Sequence, residues 1–269
     1  MKRYTRKSIP GDVLRKILLP ILLAGLILSG GCASRQEARH APGVKIYAPR
    51  KPVSQYVKKD VGYAIDAYDP WECFNRDIYL FNYYFDKYLF LPVVGAYKWI
   101  MPDYLEQRIS GILQNFGELK NLTNNILQLK PKPTAITTGR VLVNTTIGLA
   151  GMYDPASKMG LPTQNEDFGQ TLGYYGVGPG PYLVLPIFGP STLRDTTGLA
   201  VDASVRAAVM NWATDDLTHQ SEVEAAINLT DSIDTRRRTP FRYYQSGSPF
   251  EYDFVRKLYL EKRTIEIAK

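Results

Sequence analysis

The 269-residue chain is short of the residues that usually carry metal or redox chemistry: it has two cysteines, Cys32 and Cys73, and two histidines, His40 and His219. So few soft and imidazole ligands leave no zinc-like spacing, and no metal or cofactor is expected. Also absent are a Gly-x-Ser-x-Gly elbow, a Gly-x-x-x-x-Gly-Lys-Ser/Thr phosphate loop and a His-Glu-x-x-His pair, which removes the usual grounds for proposing an enzyme. Gly176-Val177-Gly178-Pro179-Gly180 imitates a phosphate loop but lacks the lysine, and its proline removes a backbone donor that such a cradle needs. The acidic pairs Asp215-Asp216 and Glu166-Asp167 read as helix starts or solvated turns. After Leu28 no uninterrupted apolar run approaches the length of a spanning helix.

What is present begins at the N-terminus. Lys2, Arg3, Arg6, Lys7, Arg15 and Lys16 precede an apolar segment from Ile17 to Leu28, broken only by Pro20, Ala24 and Gly25. That is the pattern of an export signal and is too short to cross a bilayer. Ser29-Gly30-Gly31 leading into Cys32 resembles the bacterial lipoprotein signal, with cleavage between Gly31 and Cys32 and acylation of Cys32; an ordinary cleaved secretory signal is the alternative. Such signals usually place Leu three residues before the cysteine, where this chain has Ser29. Ala33 rather than Asp after the cysteine favours, by resemblance to sorted lipoproteins, the outer membrane.

The signal also carries the charge imbalance. The whole chain has 33 basic and 26 acidic residues, and removing residues 1–31 leaves 27 against 25, so the pI near 9.2 is no argument for nucleic acid. With Cys32 acylated, Cys73 has no partner within the chain and is expected to be a small buried hydrophobe. Residues 32–66 are polar and punctuated by Pro42, Pro49 and Pro52, a flexible tether. Residues 67–269 then form one mainly α domain.

Five helices dominate the expected domain. One runs from about Trp71 to Phe90 with a stripe of Phe74, Ile78, Phe81, Phe85 and Tyr88. A second opens on Asp103 and Glu106 as a capping pair and runs to about Leu129, with Leu105, Ile109, Ile112, Leu113, Phe116, Leu119, Leu122 and Ile126 on its apolar face. Others span Thr134 to Ile147, Asp195 to Trp212 and Ser248 to Ile267, with a shorter helix from Ser221 to Ile233. The start of the last carries Ser248, Pro249 and Glu251, the pattern of a capping box. Between Phe168 and Gly198, glycines and prolines break any long element around Tyr174, Tyr175, Tyr182, Leu183, Val184, Leu185, Ile187 and Phe188. This irregular segment is either a chain reversal over a core or backbone that lines a cavity or meets lipid.

Three blocks carry a resemblance: Asp69-Pro70-Trp71-Glu72-Cys73-Phe74-Asn75-Arg76; Asn144-Thr145-Thr146-Ile147-Gly148 with Asp154-Pro155-Ala156; and Asp167-Phe168-Gly169-Gln170-Thr171-Leu172-Gly173-Tyr174-Tyr175-Gly176-Val177-Gly178, continuing to Ser191-Thr192-Leu193-Arg194-Asp195. In order and spacing they resemble the MlaA, or VacJ, outer-membrane lipoproteins that maintain lipid asymmetry, although that family usually has glycine at the place of Cys73. The resemblance implies a helical ring in the periplasmic leaflet of the outer membrane, with an amphipathic channel. Phospholipid strayed to the outer leaflet would pass through it to a periplasmic MlaC-like carrier and on to an inner-membrane ABC transporter, with a porin trimer as a further partner. On that basis the candidates for lining the channel or touching lipid are Phe74, Asn75, Arg76, Phe81, Tyr174, Tyr175, Gly176, Gly178, Gly180, Tyr182, Arg194 and Asp195. Read without the resemblance, the aromatics fit a soluble core better than an interface, Arg140 and Asn144 could line a channel or pair in the core, and Arg194 and Asp195 could meet a headgroup or form a structural ion pair. A lipoprotein that scaffolds an envelope complex without moving lipid is the competing function.

Overall fold

The computed structural model describes residue 65 and residues 67–269; the signal, Gly31, Cys32 and nearly all of the tether lie outside the described residues. Helix α1 (Glu72–Phe85) continues through a π-helical turn (Asp86–Phe90) into α2 (Leu91–Ile100). The expected helix therefore runs on past Phe90, with Pro92 inside the continuous run directly after the π turn, a local widening of the kind that accommodates a missing amide donor. The face that α1 turns to the protein is Asn75, Ile78, Tyr79, Asn82 and, one turn on, Asp86, a helical stripe with a largely polar composition. Phe74 and Phe81 of the apolar stripe are 39% and 47% exposed. Cys73 is exposed as well, a correction to the expectation of burial: it precedes that outward Phe74 and lies off the inward stripe.

Helix α3 (Asp103–Leu127) reverses through Gln128–Lys130 into α4 (Pro131–Thr146), with Leu129 in the left-handed region at φ 54°. The two run antiparallel, joined by Asn125 Nδ2 to Thr137 Oγ1 (3.4 Å) and Arg140 Nε to Glu118 Oε1 (2.6 Å). The buried face of α3 is again mostly polar: Glu106, Ser110, Leu113, Glu118, Asn121, Asn124 and Asn125. Leu105 and Ile126 of the apolar face are about half exposed. Nor do Asp103 and Glu106 cap the helix. Pro102 occupies the cap position without a side-chain bond, and Glu106 instead pairs with Arg237 at 2.5 Å.

The short α5 (Pro155–Lys158) is capped by Asp154, and α6 (Phe168–Tyr174) opens with a true capping box between Asp167 and Gln170. The Pro-rich stretch that follows contains a two-stranded antiparallel hairpin, β1 (Tyr182–Leu185) with β2 (Gly189–Thr192). Both strands are edges, so Pro190 removes no central ladder bond. The free edge of β1 is met by α1 side chains that act as a surrogate strand. Asn75 donates to Tyr182 O (3.0 Å) and accepts from Val184 N (2.8 Å); Asn82, two turns on, donates to Leu185 O (2.9 Å) and accepts from Ile187 N (2.7 Å). These amides satisfy backbone groups that would otherwise be buried unpaired.

Helix α7 (Leu193–Thr214) begins on a Thr192 cap, α8 (Gln220–Arg238) packs against it, and α9 (Glu251–Ile267) closes the chain. The expected capping box at Ser248 is not formed. The helix starts three residues later, because the Glu251 carboxylate reaches back to Tyr244 N, Ser246 and the Tyr79 hydroxyl. Around that carboxylate lies the apolar cluster of Ile78, Tyr79, Tyr182, Val184 and Tyr252, where Tyr79 meets Tyr243, Tyr244 and Tyr252 edge-on at 4.9–5.6 Å. Helix α9 is bolted down by charge. Arg263 binds Asp167 (2.8 Å) and Asp195 (3.0 Å), and Arg256, 2% exposed, binds Asp69 (3.2 Å).

Across the described residues, buried polar and charged side chains outnumber buried hydrophobic ones, while large hydrophobics such as Trp99 (87% exposed) and Trp212 (82% exposed) lie on the outside. A water-soluble fold buries in the opposite order. No described helix is long and apolar enough to cross a membrane.

Candidate functional site

The polar faces of α3, α4, α7 and α8 converge on a cavity of about 1420 Å³, larger than the roughly 300–1,000 Å³ of ordinary small-molecule pockets. Along α3 its wall runs from Gln107 to Asn121, α4 supplies Arg140 and Asn144, α7 supplies Asp202 and Arg206, and α8 supplies Asn228, Asp231 and Arg238. Apolar groups are interspersed, among them Phe116, Ile147, Leu199 and Val205. The lining is amphipathic.

Two glycines on α3 shape this wall in different ways. At Gly111 a Cβ would stand 2.3 Å from the Gly151 carbonyl, so only glycine lets the following loop approach the helix. Gly117, by contrast, faces open space. The approaching loop is left-handed for three residues in succession, Leu149 (φ 54°), Ala150 (φ 60°) and Gly151 (φ 96°). Two of the three pay a side-chain penalty there, the kind of local strain that surrounding structure must hold in place. The turn brings Met152, Tyr153 and Asp154 to the cavity wall.

Ion pairs hold the wall. Arg140 binds Glu118 and donates from Nη1 to Leu161 O (2.7 Å), while Asn144 donates to Asp154 Oδ1 (3.0 Å). Both residues thus line the cavity and pair, combining the two alternatives read from sequence. Burial pushes the Asp154 carboxyl up, but hydrogen bonds from Ser157 and Asn144 and the charge of Arg140 outweigh it and hold the group at about 2. Arg206 pairs with Asp231 (3.1 Å), and Arg238 with Asp234 (2.8 Å).

Apart from Arg140 and Asn144, none of the residues named from sequence as channel or lipid contacts is among the lining residues. Asn75 grips β1, and Arg76 binds Asp253 (2.8 Å) with its guanidinium 4.2 Å over the Tyr252 ring. Tyr182 is 1% exposed in the aromatic cluster. Arg194 and Asp195 bind each other at 3.0 Å within the Arg263 network. Phe74, Phe81, Tyr174 and Tyr175 stand on the exterior. Gly176 (φ 85°) and Gly180 (φ 66°) serve left-handed turns, and Gly178 faces open space. From the irregular segment, Phe188 reaches the cavity. On α3 the lining takes in Leu113, Phe116 and Leu119 of the expected apolar face together with Gly111, Gln114, Glu118 and Asn121, a polar repeat at helical spacing that the apolar periodicity does not reveal.

Comparison with known proteins agrees with this architecture. A solved structure described as "Structural basis for maintenance of bacterial outer membrane lipid asymmetry" matches with a TM-score of 0.57 at 29% identity, covering 75% of this chain and 100% of that one. The intermembrane phospholipid transport system lipoprotein MlaA of Escherichia coli is 33% identical over 202 residues, 72% of this chain and 76% of that protein. Its namesake in Haemophilus influenzae is 35% identical over 147 residues, 54% of this chain and 59% of that protein. An uncharacterized protein of Rickettsia prowazekii is 43% identical over 133 residues, which span about half of either chain, 49% of this one and 53% of the relative. With the profile of the MlaA lipoprotein family matching residues 67–266, the chain belongs to that family.

Proposed function

We propose that the protein is a passive conduit for phospholipid at the outer membrane, anchored through acylated Cys32 and embedded as a ring in the periplasmic leaflet. The observation that carries this reading is the inverted polarity: a polar-walled cavity of about 1420 Å³ inside a helical body whose large hydrophobics point outward. A phospholipid needs that combination, because its headgroup cannot cross hydrocarbon unsolvated while its acyl chains lose nothing by staying in it. The cavity wall supplies hydrogen-bonding groups to the headgroup. Exterior side chains such as Phe74, Phe81, Tyr174, Tyr175 and Trp212 meet acyl chains. Helix α3 has 25 residues and so is roughly 38 Å long. It exceeds one leaflet's half-share of the roughly 30 Å hydrocarbon core and lies in or tilted to the membrane plane.

The family reading supplies the rest of the route: lipid strayed to the outer leaflet enters the cavity, passes to an MlaC-like periplasmic carrier and reaches an inner-membrane ABC transporter, with a porin trimer beside the conduit. The protein itself performs no chemistry in this scheme. Gly117→Phe tests the conduit, since the new ring meets no neighbour at Cβ and narrows the cavity from the α3 wall. The variant is expected to accumulate and anchor normally while phospholipid in the outer leaflet rises to the level of cells lacking the protein. Wild-type lipid distribution with Phe at this position would sink the conduit.

A further inference from the structure

Arg108 differs from the other arginines of the cavity. Arg140, Arg206 and Arg238 each face a carboxylate at 3.1 Å or less, whereas among the described residues Arg108 has none at ion-pair distance. Its guanidinium is nevertheless fixed. It lies 5.1 Å from the Tyr104 ring centre and 4.3 Å from that of Tyr153, and Nη1 donates to Met152 O at 2.7 Å. Nη2 has only a long contact to Gln107 Oε1 at 3.5 Å, and Nε is buried without a hydrogen bond. A half-satisfied cation held between two rings is preorganised for an incoming anion.

The tyrosines add a donor. Their hydroxyls bond each other at 2.9 Å, which uses one of two protons and leaves the second to point at a ligand. Both rings are accessible, Tyr104 at 58% and Tyr153 at 44%. Lys120 and Lys158 also line the cavity, but both are exposed and neither is fixed by an ion pair or side-chain hydrogen bond among the described residues. Arg108 sits at one end of the stretch of α3 that forms the wall, a position suited to a mouth.

We propose that Arg108, framed by Tyr104 and Tyr153, is the anion subsite of this cavity and takes the non-bridging oxygens of a phospholipid phosphodiester. The proposal rests on the conduit reading above and adds to it the group that recognises the headgroup. A phosphodiester spreads one charge over two oxygens, which matches the guanidinium fork, and the free tyrosine proton makes a third contact.

The experiment is equilibrium binding to the full-length, detergent-solubilised protein of three probes: short-chain phosphatidylglycerol, the matching diacylglycerol and inorganic phosphate. Arg108→Gln is expected to weaken phosphatidylglycerol about ten-fold or more, the size of one lost charge-assisted contact, and Arg108→Lys by a smaller factor. Diacylglycerol affinity should stay within about two-fold in every variant. Tyr153→Phe, which keeps the ring and removes a hydroxyl, should weaken phosphatidylglycerol by a few-fold with an unchanged melting temperature. Unaltered phosphatidylglycerol binding in Arg108→Gln, or an equal loss for diacylglycerol, overturns the subsite. Inorganic phosphate binding as tightly as the lipid and depending equally on Arg108 would make it a free-phosphate site and overturn the headgroup assignment. Wild-type protein that binds neither lipid would instead bring down the conduit reading itself.

Discussion

Asp154 couples the cavity wall to pH. Its carboxylate accepts from Ser157 N and Oγ and from Asn144, and faces Arg140 at 3.3 Å. Because these bonds hold its folded value near 2, below its ordinary 3.8, the charged form binds the fold better than the neutral one. The stabilisation is complete above about pH 4 and drains away as pH falls toward 2. A pH series of thermal melts should show wild-type Tm falling through that window, with Asp154→Asn starting lower at neutral pH and losing less of its Tm on acidification. Parallel curves for the two proteins would count against this role.

The Asp195 carboxylate is a second residue-scale junction, shared by Arg194, Arg263 and Tyr259 at 2.8–3.1 Å. Asp195→Leu leaves buried cationic donors without their acceptor and is expected to cost about 3–5 kcal/mol in urea unfolding. A loss below about 1 kcal/mol would mean that Arg263 is held adequately by Asp167 alone. At Gly111 even a methyl group strikes the Gly151 carbonyl at 2.3 Å. Gly111→Ala should therefore destabilise by about 1–3 kcal/mol, although alanine is the better helix former.

At the scale of elements, the helices were legible where periodicity was strong. The expected helix from Asp103 to about Leu129 is α3 at Asp103–Leu127, and that from Thr134 to Ile147 is α4 at Pro131–Thr146. What periodicity could not reveal is which face turns inward, because amphipathicity has no sign until the solvent is known. In α1 and α3 a stripe bearing asparagines is buried while Phe74, Phe81, Leu105, Ile126 and Leu127 are exposed, with Leu113 an apolar residue that stays inside. The start of α9 was misread for a related reason: Glu251 serves Tyr244, Ser246 and Tyr79, partners set by tertiary packing and invisible in the local pattern at Ser248. The hairpin of β1 and β2 hid behind its prolines, of which Pro190 is tolerated because it lies in an edge strand.

The same shift of face moves the proposed conduit. The glycines at 176, 178 and 180 looked like a channel wall, but the cavity lies against α3, α4, α7 and α8. Gly178→Phe, whose side chain meets open space, should therefore leave lipid passage intact, in contrast to Gly117→Phe. A lipid defect from the Gly178 variant equal to that from Gly117 would return the conduit to the irregular segment.

For the whole molecule, polarity runs outward from a charged and amide-rich interior to an exterior of Trp, Tyr, Phe and Leu. Carboxylate–arginine clusters take over the cohesive role that an apolar core plays in water, tying residue 69 to 256, 86 to 236, 118 to 140 and 167 to 263. Such a body is suited to hydrocarbon outside and water within. The proposed anchor is a separate feature, Cys32 directly after the signal of residues 1–31. Cys32→Ser should leave unprocessed precursor in the inner membrane, read by fractionation and gel mobility, while mature protein free in the periplasm would mean an ordinary secretory signal. The most direct test of the account is the amount of phospholipid in the outer leaflet, read with a headgroup-selective enzymatic label, in cells without the protein and in cells complemented with it. The account predicts a rise on deletion that the wild-type chain reverses; an outer leaflet that stays the same with and without the protein would contradict it.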